Sequence, residues 1–132
     1  MTVEQKVREL QHFINGTLVA GTSGRFSNVY NPCTGEVIAR VPIATREEVQ
    51  HAIETAKEAF PKWKALSSGK RSEIVQRFRQ LVAENQDELI EIICEESGKT
   101  KEDARGEIQR GLESVDRSEE HTSELQSPLI IS

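Results

Sequence analysis

The chain has 132 residues, enough for one domain, and its 36% hydrophobic and 30% charged content is ordinary for a soluble globular protein. The formal charge is −5, of which Arg117, Glu119, Glu120 and Glu124 supply −2, so no electrostatic feature points to a nucleic-acid or anionic-membrane partner. No apolar run approaches the roughly 20 residues that span a bilayer, Met1 to Gln11 is too polar for a secretory signal, and Cys33 and Cys94 form no CxxC pair. A disulfide or zinc framework is therefore not expected, and a cytoplasmic location is the default.

In chain order, Phe13-Ile14-Asn15-Gly16-Thr17-Leu18-Val19 comes first. It sets Asn-Gly between two apolar runs, the pattern of a tight hairpin whose turn residues take positive φ. Gly21 and Gly24 loosen the chain. Strands follow over Phe26 to Tyr30 and Glu36 to Val41, joined by Asn31-Pro32-Cys33-Thr34-Gly35, where proline fixes φ and Gly35 takes the left-handed conformation. The first forty residues thus read as small antiparallel structure.

Helical periodicity begins at Thr45-Arg46-Glu47-Glu48, a capping box. Val49, Ala52, Ile53, Ala56 and Phe60 share one face, and Pro61 ends or kinks the helix. A second helix follows Ser67-Ser68 with Ile74, Phe78, Leu81 and Val82 on one stripe and a stop at Glu84-Asn85. A third opens at Asn85-Gln86-Asp87-Glu88, carries Leu89, Ile92, Ile93 and Glu96, and ends at Gly98. A fourth starts near Thr100 with Ala104, Ile108, Leu112 and Val115 inward. There is no internal repeat, and no parallel-sheet strand that would carry a cofactor crevice is read before residue 116.

The segments FINGTLVAG, YNPCTGEVIARVP, EEVQHAIETAKEAFPKW and KRSEIVQRFRQLVAENQDELIEIICEESGKT resemble the N-terminal portion of an aldehyde dehydrogenase. GTSGRFSNVYNPCTGEVIARVP and GKTKEDARGEIQRGLESV are similar to the branch that oxidises methylmalonate semialdehyde and acylates coenzyme A. The resemblance covers residues 11 to 116. It implies an α/β, aldehyde dehydrogenase-like fold of which only the N-terminal part is present, antiparallel hairpin strands followed by about four helices of the NAD-binding domain.

For the parent protein the resemblance further implies NAD and coenzyme A as cosubstrates, a small aldehyde substrate, and a homodimer or homotetramer. The family's cysteine thiolate attacks the aldehyde carbonyl, hydride passes to NAD, and a thioester remains. In this branch that thioester goes to coenzyme A, giving propanoyl-CoA or acetyl-CoA with carbon dioxide. The glycine-rich setting of that nucleophile is reproduced around neither Cys33 nor Cys94, so residues 1 to 116 read as an incomplete NAD-binding domain, inactive by itself. No catalytic, cofactor-binding or metal-ligating residue is assigned. Two other readings stand beside this one. One is an NAD(P)-dependent aldehyde dehydrogenase that makes a carboxylate; the other is a non-catalytic helical interaction module.

Residues 117 to 132, RSEEHTSELQSPLIIS, break both the periodicity and the family pattern. RSEEHTSELQS resembles the translation of a sequencing-library adapter, so this stretch is expected to be a non-native or disordered tail.

Other chemistry-bearing residues take bland roles. Cys94 lies in an apolar stripe and Cys33 has no base beside it. His12, His51 and His121 lack ligand spacing and read as surface histidines. Gly16, Gly21, Gly24 and Gly35 punctuate turns and do not follow a strand into a helix as a dinucleotide fingerprint must. Ser97-Gly98-Lys99-Thr100 lacks the upstream glycine of a P-loop, so Lys99 marks a junction between helices. Trp63 covers the exit of the first helix or packs elsewhere in the parent. Arg71, Arg77, Arg79, Arg105 and Arg110 alternate with acids, and Glu107 can pair with Arg110.

Overall fold

The computed structural model describes the backbone of residues 6–130 and the side chains of residues 6–118. Five strands precede four helices: β1 (Arg8–Glu9), β2 (His12–Ile14), β3 (Thr17–Val19), β4 (Phe26–Tyr30), β5 (Val37–Pro42), α1 (Arg46–Ala65), α2 (Ser68–Glu84), α3 (Gln86–Ser97) and α4 (Lys101–Ile130). They fall into two compact units, Met1–Trp63 with Glu96–Gly98, and Lys64–Glu95 with Lys99–Ser132.

In the first unit β2 and β3 form the antiparallel hairpin, with Phe13 opposite Leu18. Asn15 at φ 53 and Gly16 at φ 75 make its turn, as the Asn-Gly pair requires. β4 and β5 pair antiparallel across the Asn31–Gly35 turn. There the Asn31 side chain accepts from the Cys33 amide at 2.9 Å, and the Gly35 amide donates to the Asn31 carbonyl at 2.7 Å.

The opening is not wholly antiparallel. β1 joins the other edge of β5 in parallel, Arg8 opposite Ala39 and Glu9 opposite Arg40, giving the order β1-β5-β4. A two-residue, exposed, charged strand has no alternation to announce it. Its pairing places β5 in the middle of the sheet, where the adjacent residues Ile38 and Ala39 are both buried, one on each face. At the edge, the Arg40 guanidinium lies 4.5 Å from the centroid of the Phe26 ring.

α1 runs through Pro61 to Ala65 instead of stopping. One intrahelical bond is missing at the proline, but Lys62, Trp63, Lys64 and Ala65 all tolerate helix, and no glycine follows until Gly69. The apolar face of α1 is largely solvent-facing: Val49, Ile53 and Phe60 are exposed.

The second unit is a three-helix arrangement. Ser67 caps α2, accepting from the Lys70 amide at 3.2 Å, and the Asn85 amide closes its other end on the Leu81 carbonyl. The face that α2 turns inward is offset from expectation. Ile74, Phe78 and Leu81 are exposed, whereas Val75 and Val82 are half-buried and Val82 packs on the core. In α3 the buried residue is Ile90, which the expected stripe of Leu89, Ile92 and Ile93 does not include; Leu89, Ile93 and Cys94 are partly buried and pack against the same core. Ala104, Ile108 and Leu112 of α4 complete the core, as their spacing predicts.

Ion pairs tie these helices. The Arg79 guanidinium donates through Nε and Nη2 to the two carboxylate oxygens of Asp116, at 2.6 and 3.0 Å, which raises its pKa. Lys101 meets Glu91, and Glu107 pairs with Lys99 rather than with Arg110. The side chains after Ser118 lie outside the described residues, and with them those of His121 and most of the adapter-like segment; the α4 backbone itself is helical across Asp116.

Candidate functional site

A polar constellation lies in the first unit, where the start of α1 meets the loop after the hairpin. The capping box forms as its letters predict: the Glu48 amide donates to Thr45 Oγ1, and the Thr45 amide donates to Glu48 Oε1, both at 3.1 Å. The same Oε1 accepts from the Thr22 hydroxyl at 3.0 Å and from the Thr22 amide at 3.3 Å. Glu48 Oε2 faces His12 Nε2 at 3.0 Å, with side-chain exposures of only 14% and 18%. His12 is thus not a surface histidine; β2 turns it inward against α1.

Gly21 permits this arrangement by having no side chain. A Cβ there would lie 2.6 Å from the Pro42 Cβ and 3.3 Å from His12 Nε2. Beside the constellation runs an open groove of about 440 Å³, lined on one side by His12, Phe13 and Ile14 and on the other by residues including Glu48, Val49 and Ile53 of α1.

The amide of Thr45 is the chief cause that draws the Glu48 carboxyl down to about 2; burial opposes it, and the Thr22 donors add to the lowering. The folded value lies below the ordinary 4.5, so the carboxylate's contribution to stability is complete above that pH and is lost as pH falls through about 2. Glu48→Gln is therefore expected to lower stability at neutral pH. In urea unfolding followed by circular dichroism, its deficit relative to wild type should shrink as pH drops from 4.5 toward 2. A deficit independent of pH would show that the charge is not what the site uses.

The remaining candidates stay apart. Cys33 is exposed in its turn, near Gly98, and Cys94 is partly buried against the core of the second unit. His51 is exposed on α1, and Lys99, at the α3–α4 junction, is engaged by Glu107. Among the described residues no group of three His, Cys, Asp or Glu side chains is close enough to hold a metal ion, and no helix is long and apolar enough to cross a membrane. Sequence reasoning found the Thr45–Glu48 box and missed Thr22 and His12, which have no local pattern linking them to Glu48.

Residues 18–132 match the profile of the aldehyde dehydrogenase family. A malonate-semialdehyde dehydrogenase of Lacticaseibacillus casei is 46% identical over 115 residues, which is 87% of this chain and 23% of that protein. A solved Sinorhizobium meliloti protein, described as a methylmalonate-semialdehyde dehydrogenase complexed with NAD, superposes with a TM-score of 0.84 at 45% identity, covering 88% of this chain and 24% of that one. An NAD-dependent benzaldehyde dehydrogenase of Corynebacterium glutamicum gives a TM-score of 0.80 at 34% identity, over 86% of this chain and 25% of its own. The chain spans about a quarter of the length of the relatives it matches.

Proposed function

Because the chain belongs to the aldehyde dehydrogenase family, we propose that it builds the opening part of the NAD-binding domain of a malonate- or methylmalonate-semialdehyde dehydrogenase. The observation that carries this reading is the difference in identity. The chain is 46% and 45% identical to the two semialdehyde dehydrogenases, and 34% identical to a benzaldehyde enzyme whose backbone superposes almost as well. The backbone alone does not separate these substrate classes; the side chains favour one.

In the proposed reaction the aldehyde hydrogen leaves as hydride to NAD, and the acyl carbon ends in a thioester with coenzyme A. The substrate carboxylate departs as carbon dioxide, and the carbon it leaves takes up a proton. NADH and propanoyl-CoA, or acetyl-CoA from the unmethylated substrate, are the other products. The described residues of this chain act as framework for that chemistry. Cys94 packs with apolar side chains and Cys33 sits in an exposed turn, and in this reading the attacking thiolate is assigned to neither. The working enzyme is a homodimer or homotetramer in this reading.

The test is NADH formation by the complete enzyme carrying this segment, with malonate and methylmalonate semialdehyde, each with and without coenzyme A. Oxidation that requires coenzyme A and yields an acyl-CoA is expected, and the 132-residue chain assayed alone should give no NADH above buffer. Oxidation of benzaldehyde to benzoate without coenzyme A, in preference to the semialdehydes, would overturn the branch and keep the family.

A further inference from the structure

The first unit holds little apolar core of its own. Among its described residues Ile38, Ala39 and Pro42 of β5 are buried, and α1 buries none of its side chains. Val49, Ile53, Ala56 and Phe60 recur at helical spacing, the row an amphipathic helix turns toward a partner. Here Val49, Ile53 and Phe60 are 48%, 56% and 58% exposed. Across the 440 Å³ groove from that row stands Phe13, 71% exposed on a hairpin that is marginal without support.

The walls say what kind of group fits. Phe13, Ile14, Val49 and Ile53 offer apolar contact, while Glu48 Oε1 is already engaged by the Thr45 and Thr22 donors. Apolar side chains therefore match the groove, and an exposed apolar patch of this kind marks a contact surface. A lipid surface fits less well. α1 carries Glu47, Glu54 and Glu58 beside Lys57 and Lys62, not the cationic polar face of a membrane-lying helix.

Two protein sources remain, the same polypeptide and a second copy. The chain spans about a quarter of the length of its relatives, so most of such a polypeptide is available in cis. A tethered segment acts at an effective concentration of roughly millimolar, which a separate copy does not match. We infer that the groove between Phe13 and the Val49–Ile53 face of α1 is the seat of an apolar segment from the remainder of the parent polypeptide. This rests on the reading of the chain as part of a longer enzyme, and not on the substrate of that enzyme.

Photochemical cross-linking in the complete enzyme tests it, with benzoylphenylalanine in place of Ile53. The cross-linked product should keep the mass of one subunit under denaturing conditions, and its digest should join position 53 to a peptide from outside residues 1–116. In the unsubstituted enzyme, hydroxyl radicals should oxidise Phe13 and Phe60 far more slowly than after unfolding in guanidinium. A product of twice the subunit mass would give the groove to a second copy and overturn the proposal. Links confined to residues 1–116, absence of any cross-link, or Phe13 oxidised as fast as in the unfolded enzyme overturn it as well. Semialdehyde oxidation without the intrachain link removes only the groove's occupant; the intrachain link in an enzyme that prefers benzaldehyde removes only the branch.

Discussion

Ile90→Ala is expected to lower stability by about 2–5 kcal/mol, the range for truncating a buried isoleucine to alanine and leaving a cavity behind. Among the described residues the second unit buries Ile90, Ala104, Ile108 and Leu112, and Ile90 is the contribution α3 makes to them. Helices already packed through Ala104, which has no accessible surface, cannot move closer to refill the gap. A loss of this size is a large share of a small domain's total stability. Urea unfolding should show a lower midpoint with an unchanged slope. Phe78→Ala serves as the contrast: its ring is 62% exposed, and the change should stay within about 0.5 kcal/mol. Equal effects of the two substitutions would mean that the helices do not pack through Ile90.

Gly21→Ala is expected to cost about 1–3 kcal/mol, as overpacking does. The added methyl would stand 2.6 Å from the Cβ of Pro42, a buried ring that cannot rotate away, so the loop itself must shift. That loop carries Thr22, and moving it withdraws two of the three donors from Glu48 Oε1. The Glu48 carboxyl should then titrate closer to 4.5, measurable by carboxyl carbon shifts in the variant. An alanine tolerated without loss of stability, with Glu48 still near 2, would contradict the close packing at Gly21.

Local chemistry made much of the fold legible. Asn15-Gly16 specifies a turn that few other residue pairs accept, Thr45 and Glu48 specify a cap, and Ala104, Ile108 and Leu112 repeat at helical spacing. Each of these signals lies within a few residues. What the sequence concealed depends on distant partners. Arg8-Glu9 becomes a strand only because β5 offers a free edge. Which side of α2 turns inward is decided by α4, so Val82 is packed while the more hydrophobic-looking row of Ile74, Phe78 and Leu81 is exposed. Leu89, Ile90, Ile92 and Ile93 are so uniformly apolar that periodicity alone does not say which lies deepest. His12 and Glu48 belong to different elements, and Glu107 chose Lys99 over a partner on its own helix.

The parallel pairing of β1 with β5 also sets an order in time. Arg8 meets Ala39 only after the hairpin and β4 have intervened, a closure of about thirty residues, whereas β2–β3 and β4–β5 each join across a short turn. As the polypeptide emerges, the β2–β3 hairpin is complete long before the first strand has a neighbour, and once β5 appears β4 reaches it across the shorter closure. The earliest residues of the sheet to be synthesised are therefore the last to be secured in it.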